Sequence, residues 1–209
     1  VSTATTAMAS VIHHESFENY TTGSGQYVSE NLNDHWLENY DGHTVSGEGW
    51  GTYYTNTRNS VGLSDGDYFG VTSYAGAVGE YTHGVQGFQM SDVDGMATLT
   101  FDAIDGATGV SFDMFVDGTG WESDDRIMIK IGGEVILDTA GSDIDDLDLE
   151  EVWTTYEGGA GKLEISLDSN SGNEAIFIDN IQWTAIPAPG ALALLGLAGI
   201  AGRRRGRND

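Results

Sequence analysis

Alternation of apolar with polar residues constrains this chain more than any other feature, because a period of two puts side chains on opposite faces of an extended strand and does not suit a helix. Leu99, Phe101 and Ala103 alternate with Thr98, Thr100 and Asp102, and Val110, Phe112, Met114 and Val116 alternate with Ser111, Asp113 and Phe115. The spacing returns at Ile127, Ile129 and Ile131 and again at Leu163, Ile165 and Leu167. Segment 175–183, AIFIDNIQW, is apolar on both faces and reads as a central strand. Asp94-Gly95, Asp105-Gly106, Asp117-Gly118 and Gly132-Gly133 read as turns between strands. Helical spacing is almost absent. Many short antiparallel strands without crossover helices predict an all-β protein, a single jelly-roll-like β-sandwich. The amino-terminal half is less regular. Segment 14–20, HESFENY, is a candidate first strand and 68–71 another, while the Gly/Asn/Thr-rich stretch 39–64 reads mostly as loops.

Charge narrows the partners. The 209 residues suffice for one domain with a substantial core, and they carry 33 acids against 8 bases. That balance argues against nucleic acid, which needs clustered Lys and Arg. Setting aside Asp209 and the arginines at 203, 204, 205 and 207 leaves 32 acids and 4 bases over residues 1–186, a net charge of −28. Such a surface repels itself unless salt screens it or cations bind it, so a saline habitat, bound calcium, or both are expected. The chain has no cysteine, which excludes a thiol nucleophile and a thiolate metal site.

The two ends have their own signatures. Residues 1–9, VSTATTAMA, are small and uncharged and close on an A-x-A form, so they read as the remnant of a signal peptide or as a disordered start. At the other end Ile186-Pro187-Ala188-Pro189 precedes the run GALALLGLAGIAG, which Arg203, Arg204, Arg205 and Arg207 follow. Residues 186–202 hold no charge over 17 positions, the short limit for a spanning helix, and the cations behind them obey the positive-inside rule. A C-terminal hydrophobic helix is therefore expected. The arrangement resembles the PEP-CTERM sorting signal of Gram-negative bacteria, with Pro187 and Pro189 as the proline motif and Arg203, Arg204 and Arg205 as the arginine cluster. Pro-Ala-Pro stands where the commonest form has Pro-Glu-Pro. The resemblance implies export, transient anchoring in the inner membrane through the C-terminal segment, processing by an exosortase-like enzyme, and release to the cell surface or extracellular matrix. The domains expected are thus 1–9, a sandwich over 10–185, and the sorting signal over 186–209.

A second set of motifs runs along the body. Phe17-Glu18, the segment SDGDYF at 64–69, Asp92-Val93-Asp94-Gly95, the segment WESDD at 121–125 and the closing AIFIDNI occur in the order that resembles secreted bacterial jelly rolls, the carbohydrate-binding-module and MAM-like sandwiches. In that group the resemblance implies a calcium ion pinning the first strand to the last, with Glu18 and Asp179 as ligands. Asp65, Asp67, Asp92 and Asp94 lie in Asp/Gly loops that suit the hard oxygen coordination of calcium, and they serve equally as turn formers. The run 143–151, DIDDLDLEE, reads as a solvated acidic loop or a second cation site.

Sandwiches that bind sugars use exposed rings as stacking platforms for the CH faces of a pyranose. Trp36, Trp50, Tyr53, Tyr54, Tyr74 and Trp121 occupy Gly-rich, loop-like stretches and are the candidate platforms, whereas Trp153 and Trp183 sit in strands and read as core. The function expected is a non-catalytic, calcium-stabilised domain that binds an extracellular polysaccharide. Two alternatives stay open: a structural or adhesive matrix protein without a specific ligand, and a glycan hydrolase or lyase. With so many acids a catalytic carboxylate pair can always be assembled on paper, yet no H-E-x-x-H spacing or G-x-S-x-G elbow supports an enzyme.

Overall fold

The computed structural model describes residues 8–20, 35–37 (backbone only), 49–59, 63 and 67–186. In chain order the elements are β1 (Ser10–Glu15), β2 (His35–Leu37), β3 (Trp50–Thr55), β4 (Tyr68–Thr72), β5 (Gly87–Ser91), β6 (Gly95–Phe101), β7 (Gly109–Asp117), β8 (Arg126–Ile131), β9 (Glu134–Ala140), α1 (Ser142–Asp148), β10 (Thr154–Gly159), β11 (Leu163–Ser169) and β12 (Ala175–Ala185). They form two antiparallel sheets. The first has the order β10-β7-β12-β5-β4, with β1 also paired to β12, and the second runs β2-β3-β6-β11-β8-β9.

The alternating residues become the inner faces. Leu99 and Phe101, the series Val110 to Val116, the three isoleucines of β8 and the inward residues of β11 are all buried in one cluster between the sheets. Ala103 departs from expectation and is exposed, because β6 ends at Phe101. At about 25 cal/mol per Å² of apolar surface removed from water, facing two such strand faces is what holds a sandwich closed.

Strand β12 is central, as its two-sided apolarity predicts. It pairs with β7 on one side, and on the other with β5 along residues 175–178 and with β1 along 181–185. Asp179 faces Asp113 but Gln182 faces Ser111, so β12 holds an extra residue, and Asn180 adopts φ 53° at that bulge. Asn tolerates this left-handed conformation better than most residues. The inserted residue changes the phase: Ile176 and Ile178 point into the core before it, and Ile181 and Trp183 after it.

Several sequence expectations need correction. The stretch read as loops contains β3, whose alternate residues Trp50, Thr52 and Tyr54 face inward and are buried. Segment 14–20 is a strand only to Glu15, and beyond it the chain turns so that Phe17, at φ 61°, enters the core against Trp50, Phe88 and Phe101 with ring centroids 5.8, 5.5 and 6.2 Å away. Part of the acidic run folds as α1 because Ile144 is buried and Leu147 packs on the core, leaving Leu149 outside. Among the turns, Gly132-Gly133 joins β8 to β9 with both residues at positive φ, as a tight hairpin requires. Asp94-Gly95 instead carries the chain from the first sheet to the second. Residues 1–7 and the expected C-terminal helix, with Pro187, Pro189, Arg203, Arg204 and Arg205, lie outside the described residues. Among the described residues no helix is long and apolar enough to cross a membrane.

Candidate functional site

The first sheet has apolar residues on its outer face as well. Phe115 of β7 and Phe177 of β12 are register partners whose rings point away from the core, where with Val78, Tyr81 and Ala175 they form a second buried cluster. The 73–86 connection between β4 and β5 covers them. Tyr81 Oη donates to the Tyr74 carbonyl at 2.9 Å, and Trp153 Nε1 donates to the Glu80 carbonyl at 3.0 Å, tying that connection to itself and to the chain before β10.

Tyr74 stands at the open side of this cluster, 49% exposed, with its ring 5.7 Å from that of Phe177 at an interplanar angle of 15°. Gly76, lacking a Cβ, leaves room for the hydroxyl end of the ring. Beside Tyr74 lies a depression of about 400 Å³ lined also by Gln89, Asp117, Asn173 and Phe177. A second of about 280 Å³, lined by Phe115, Thr119, Asp148 and Glu151, shares Ala77, Asp117 and Gly118 with it. Together they form one groove across the outer face. Among the described residues no Lys or Arg lines it. Burial raises the carboxyl of Asp117, and burial together with the neighbouring Asp117 charge raises that of Asp148. Amides, a hydroxyl and carboxyl groups around a half-exposed ring can hydrogen-bond an uncharged polyol while its apolar face stacks. Another depression of about 430 Å³, between Ala9, Gly109, Glu157 and Thr184, has no aromatic lining.

The structure sorts the predicted platforms. Tyr74 is exposed; Trp50, Tyr54 and Trp121 are buried, so their rings fill core rather than offer a face. Their polar atoms are bound: Trp50 Nε1 donates to Tyr20 Oη, Tyr54 Oη to the Asp94 carbonyl, and Trp121 Nε1 to the Gly118 carbonyl. Glycine next door in sequence did not imply exposure, because strand phase fixed where Trp50 and Tyr54 point. Tyr53 is half-buried, and Trp36 is its register partner in β2, with a side chain outside the described residues. Trp183 is core as expected, whereas Trp153 packs partly buried on the outer cluster.

Of the residues predicted as calcium ligands, Asp179 and Glu18 both bind the 82–86 loop. Asp179 is wholly buried beneath the 82–86 loop, where it accepts from Thr82 Oγ1 at 3.2 Å, His83 N at 2.7 Å and Asn180 N at 2.6 Å. Desolvation still raises its pKa to about 6, against those donors. Glu18 is exposed and accepts from the amides of Val85 and Gln86 at 2.8 and 3.0 Å. β1–β12 pairing joins chain start to chain end, and one loop gives amides to both carboxylates for which the resemblance implies an ion. Asp67 is buried; Asp92 and Asp94 sit at φ 55° and 44° in the turn between β5 and β6, as turn formers do. Asp65 lies outside the described residues. The one group of three potential metal ligands among the described residues is Glu122, Asp125 and Glu174, none of which the sequence had nominated. Gln89, Asn173 and Phe177 were missed as well, since residues 85 or so positions apart meet only through strand pairing.

No protein-family model matches the chain, and no curated protein matches it. Among solved structures, the K2 cleaved adhesin domain of Lys-gingipain is similar at TM-score 0.41 and 16% identity over 82% of this chain and 98% of that one. The carbohydrate-binding module TmCBM61, solved with β-1,4-galactotriose, gives TM-score 0.38 and 14% identity over 67% and 89%. The family 11 carbohydrate-binding module of Clostridium thermocellum, solved with a mixed-linked tetrasaccharide, gives 0.34 and 14% over 73% and 96%. Overlap of this size assigns neither fold nor function.

Proposed function

We propose that this protein is a non-catalytic glycan-binding β-sandwich, exported to the cell surface or extracellular matrix of a Gram-negative bacterium. The observation that carries the reading is the groove on the outer face of the first sheet, where Tyr74 is half-exposed against Phe177 and Gln89, Asn173 and Asp117 supply hydrogen-bonding groups. Export, membrane tethering and an exosortase-like partner rest on the resemblance of residues 186–207 to a PEP-CTERM signal. Calcium as structural cofactor rests on the acidic balance.

A glycan array probed with the full chain, followed by titration of the best ligand, tests the reading. Tyr74→Ala is expected to weaken binding at least tenfold, in line with about 1.4 kcal/mol per decade for loss of a stacked ring. Binding that survives Tyr74→Ala unchanged excludes this groove, and a blank array favours the structural or adhesive alternative. The raised carboxyls of Asp117 and Asp148 at the groove favour one second reading, glycan cleavage. Release of reducing ends from a bound polysaccharide, abolished by Asp117→Asn, would establish it.

A further inference from the structure

The described carboxylates are not equally compensated. Arg58 spends its guanidinium on Asp168, Asp125 and Asp124, at 2.6, 2.5 and 2.8 Å. Glu174 is only 3% exposed and its neighbours have its own sign: burial, together with the charges of Asp125 and Glu122, raises its pKa. Its Oε2 receives a long bond from Asn170 N at 3.4 Å, and no Lys or Arg pairs with it among the described residues. Glu122, Asp125 and Glu174 each present an oxygen within 4.8 Å of the others. A buried carboxylate between two more is stable only if a proton or a cation joins it.

A second observation lies beside the first. The hydroxyl of Ser169 is completely buried and finds no hydrogen-bond partner among the described residues. In the β11–β8 ladder Leu167 faces Ile127 and Asp168 faces Arg126, so that Ser169 ends β11 one residue past the last pair, as Asp125 precedes it on β8, and strand alternation puts it on the side of Leu167. The ladder from β8 to β9 is also continued at Asp125, whose carbonyl accepts from Gly141 N. Asn170, next in the chain, is the residue whose amide reaches Glu174. The three carboxylates converge at one end of the sandwich, and the buried hydroxyl of Ser169 lies on the strand end that leads into it.

We propose that this end of the molecule binds a divalent cation, calcium, through Glu122, Asp125 and Glu174, with Ser169 Oγ completing the protein's side-chain donors. All donors are hard oxygens and no His or Cys takes part, which suits calcium rather than zinc. Two loops meet there. Glu122 and Asp125 close a turn on each other, with Asp125 N donating to the Glu122 carbonyl at 3.0 Å and Glu122 N to Asp125 Oδ2 at 2.5 Å. Gly118 approaches the 170–174 turn so closely that a Cβ would lie 1.9 Å from the Asn173 carbonyl oxygen. The ion would fasten the 118–125 loop to the β11–β12 turn, with Asp125 shared between it and Arg58.

Terbium(III), a luminescent stand-in for calcium, tests this on the full chain in 0.15 M NaCl with excess magnesium to occupy diffuse sites. Trp121, adjacent in sequence to Glu122, serves as the sensitiser. One saturable emission signal displaced by calcium is expected, with affinity lowered at least tenfold by Glu174→Gln and by the exposed-site variant Glu122→Gln, and unchanged by Glu18→Gln. Calcium should raise the melting temperature of the wild type and not that of Glu174→Gln. Equal terbium binding by wild type and both variants overturns the site, as does a wild type without saturable binding. Should Glu174→Gln fail to fold, Glu122→Gln decides by the same criterion. The segments the ion fastens supply Gly118, Thr119 and Asn173 to the groove, but the two readings fail separately: terbium binding is read without glycan, and a blank glycan array leaves the terbium result standing.

Discussion

At the scale of residues, Asp179 shows how burial and hydrogen bonding compete. Three donors favour its ionised form, yet desolvation prevails and raises its pKa to about 6. The folded chain therefore holds the proton more tightly than the unfolded chain, in which an Asp titrates near about 3.9. The stability linked to that proton is full below about pH 4 and is lost as pH rises through about 6. Each tenfold gain in proton affinity is worth about 1.4 kcal/mol, so the swing is about 3 kcal/mol, or several degrees in melting temperature for a domain of this size. Thermal melts in EDTA from pH 4 to 7 should fall with rising pH, and Asp179→Asn should flatten that slope. A slope unchanged by the substitution would mean that Asp179 titrates normally.

At the scale of elements, the bulge in β12 decides which residues of AIFIDNIQW reach the core. Deleting Asn180 would restore strict alternation and turn Ile181 and Trp183 outward, since a one-residue slip sends every following side chain to the other face. Losing an Ile and a Trp from a core costs about 2–5 and 3–5 kcal/mol respectively, so the deletion is expected to abolish cooperative urea unfolding. Asn180→Gly is the informative partner. Glycine accepts the left-handed backbone but gives up the side-chain bonds to Asp113, His14 and Gln182. Retained cooperativity, with a loss of about 1–3 kcal/mol for those bonds, is expected. If the deletion unfolds as cooperatively as the wild type, the phase shift does not hold the core together.

At the scale of the whole molecule, the net charge of −28 over residues 1–186 opposes compaction. Arg58, Arg126 and Lys162 engage in ion pairs, which neutralise only a small part of it. Screening shortens from about 10 Å at 0.1 M salt to about 3 Å at 1 M. Raising sodium chloride over that range should therefore raise the melting temperature by several degrees in EDTA, and by less with saturating calcium. A midpoint that falls with salt would show that specific ion pairs, which screening weakens, outweigh the general repulsion.

Sequence alone determined what rests on local repetition. The period of two set strands β6, β7, β8 and β11 and their core faces, and the two-sided apolarity of 175–183 set β12 at the centre of its sheet. Tertiary structure decided what depends on phase and on distant partners. Whether Trp50 and Tyr54 are buried and Tyr74 exposed follows from strand phase and from the 73–86 connection folding over Phe115 and Phe177. The bulge at Asn180 was invisible because a shift of one residue leaves composition unchanged. Glu122, Asp125 and Glu174 meet because antiparallel pairing brings the end of β11 beside the start of β8. An acid in a sequence is a turn former, a solvated charge or a ligand according to what surrounds it, and those surroundings are made by folding.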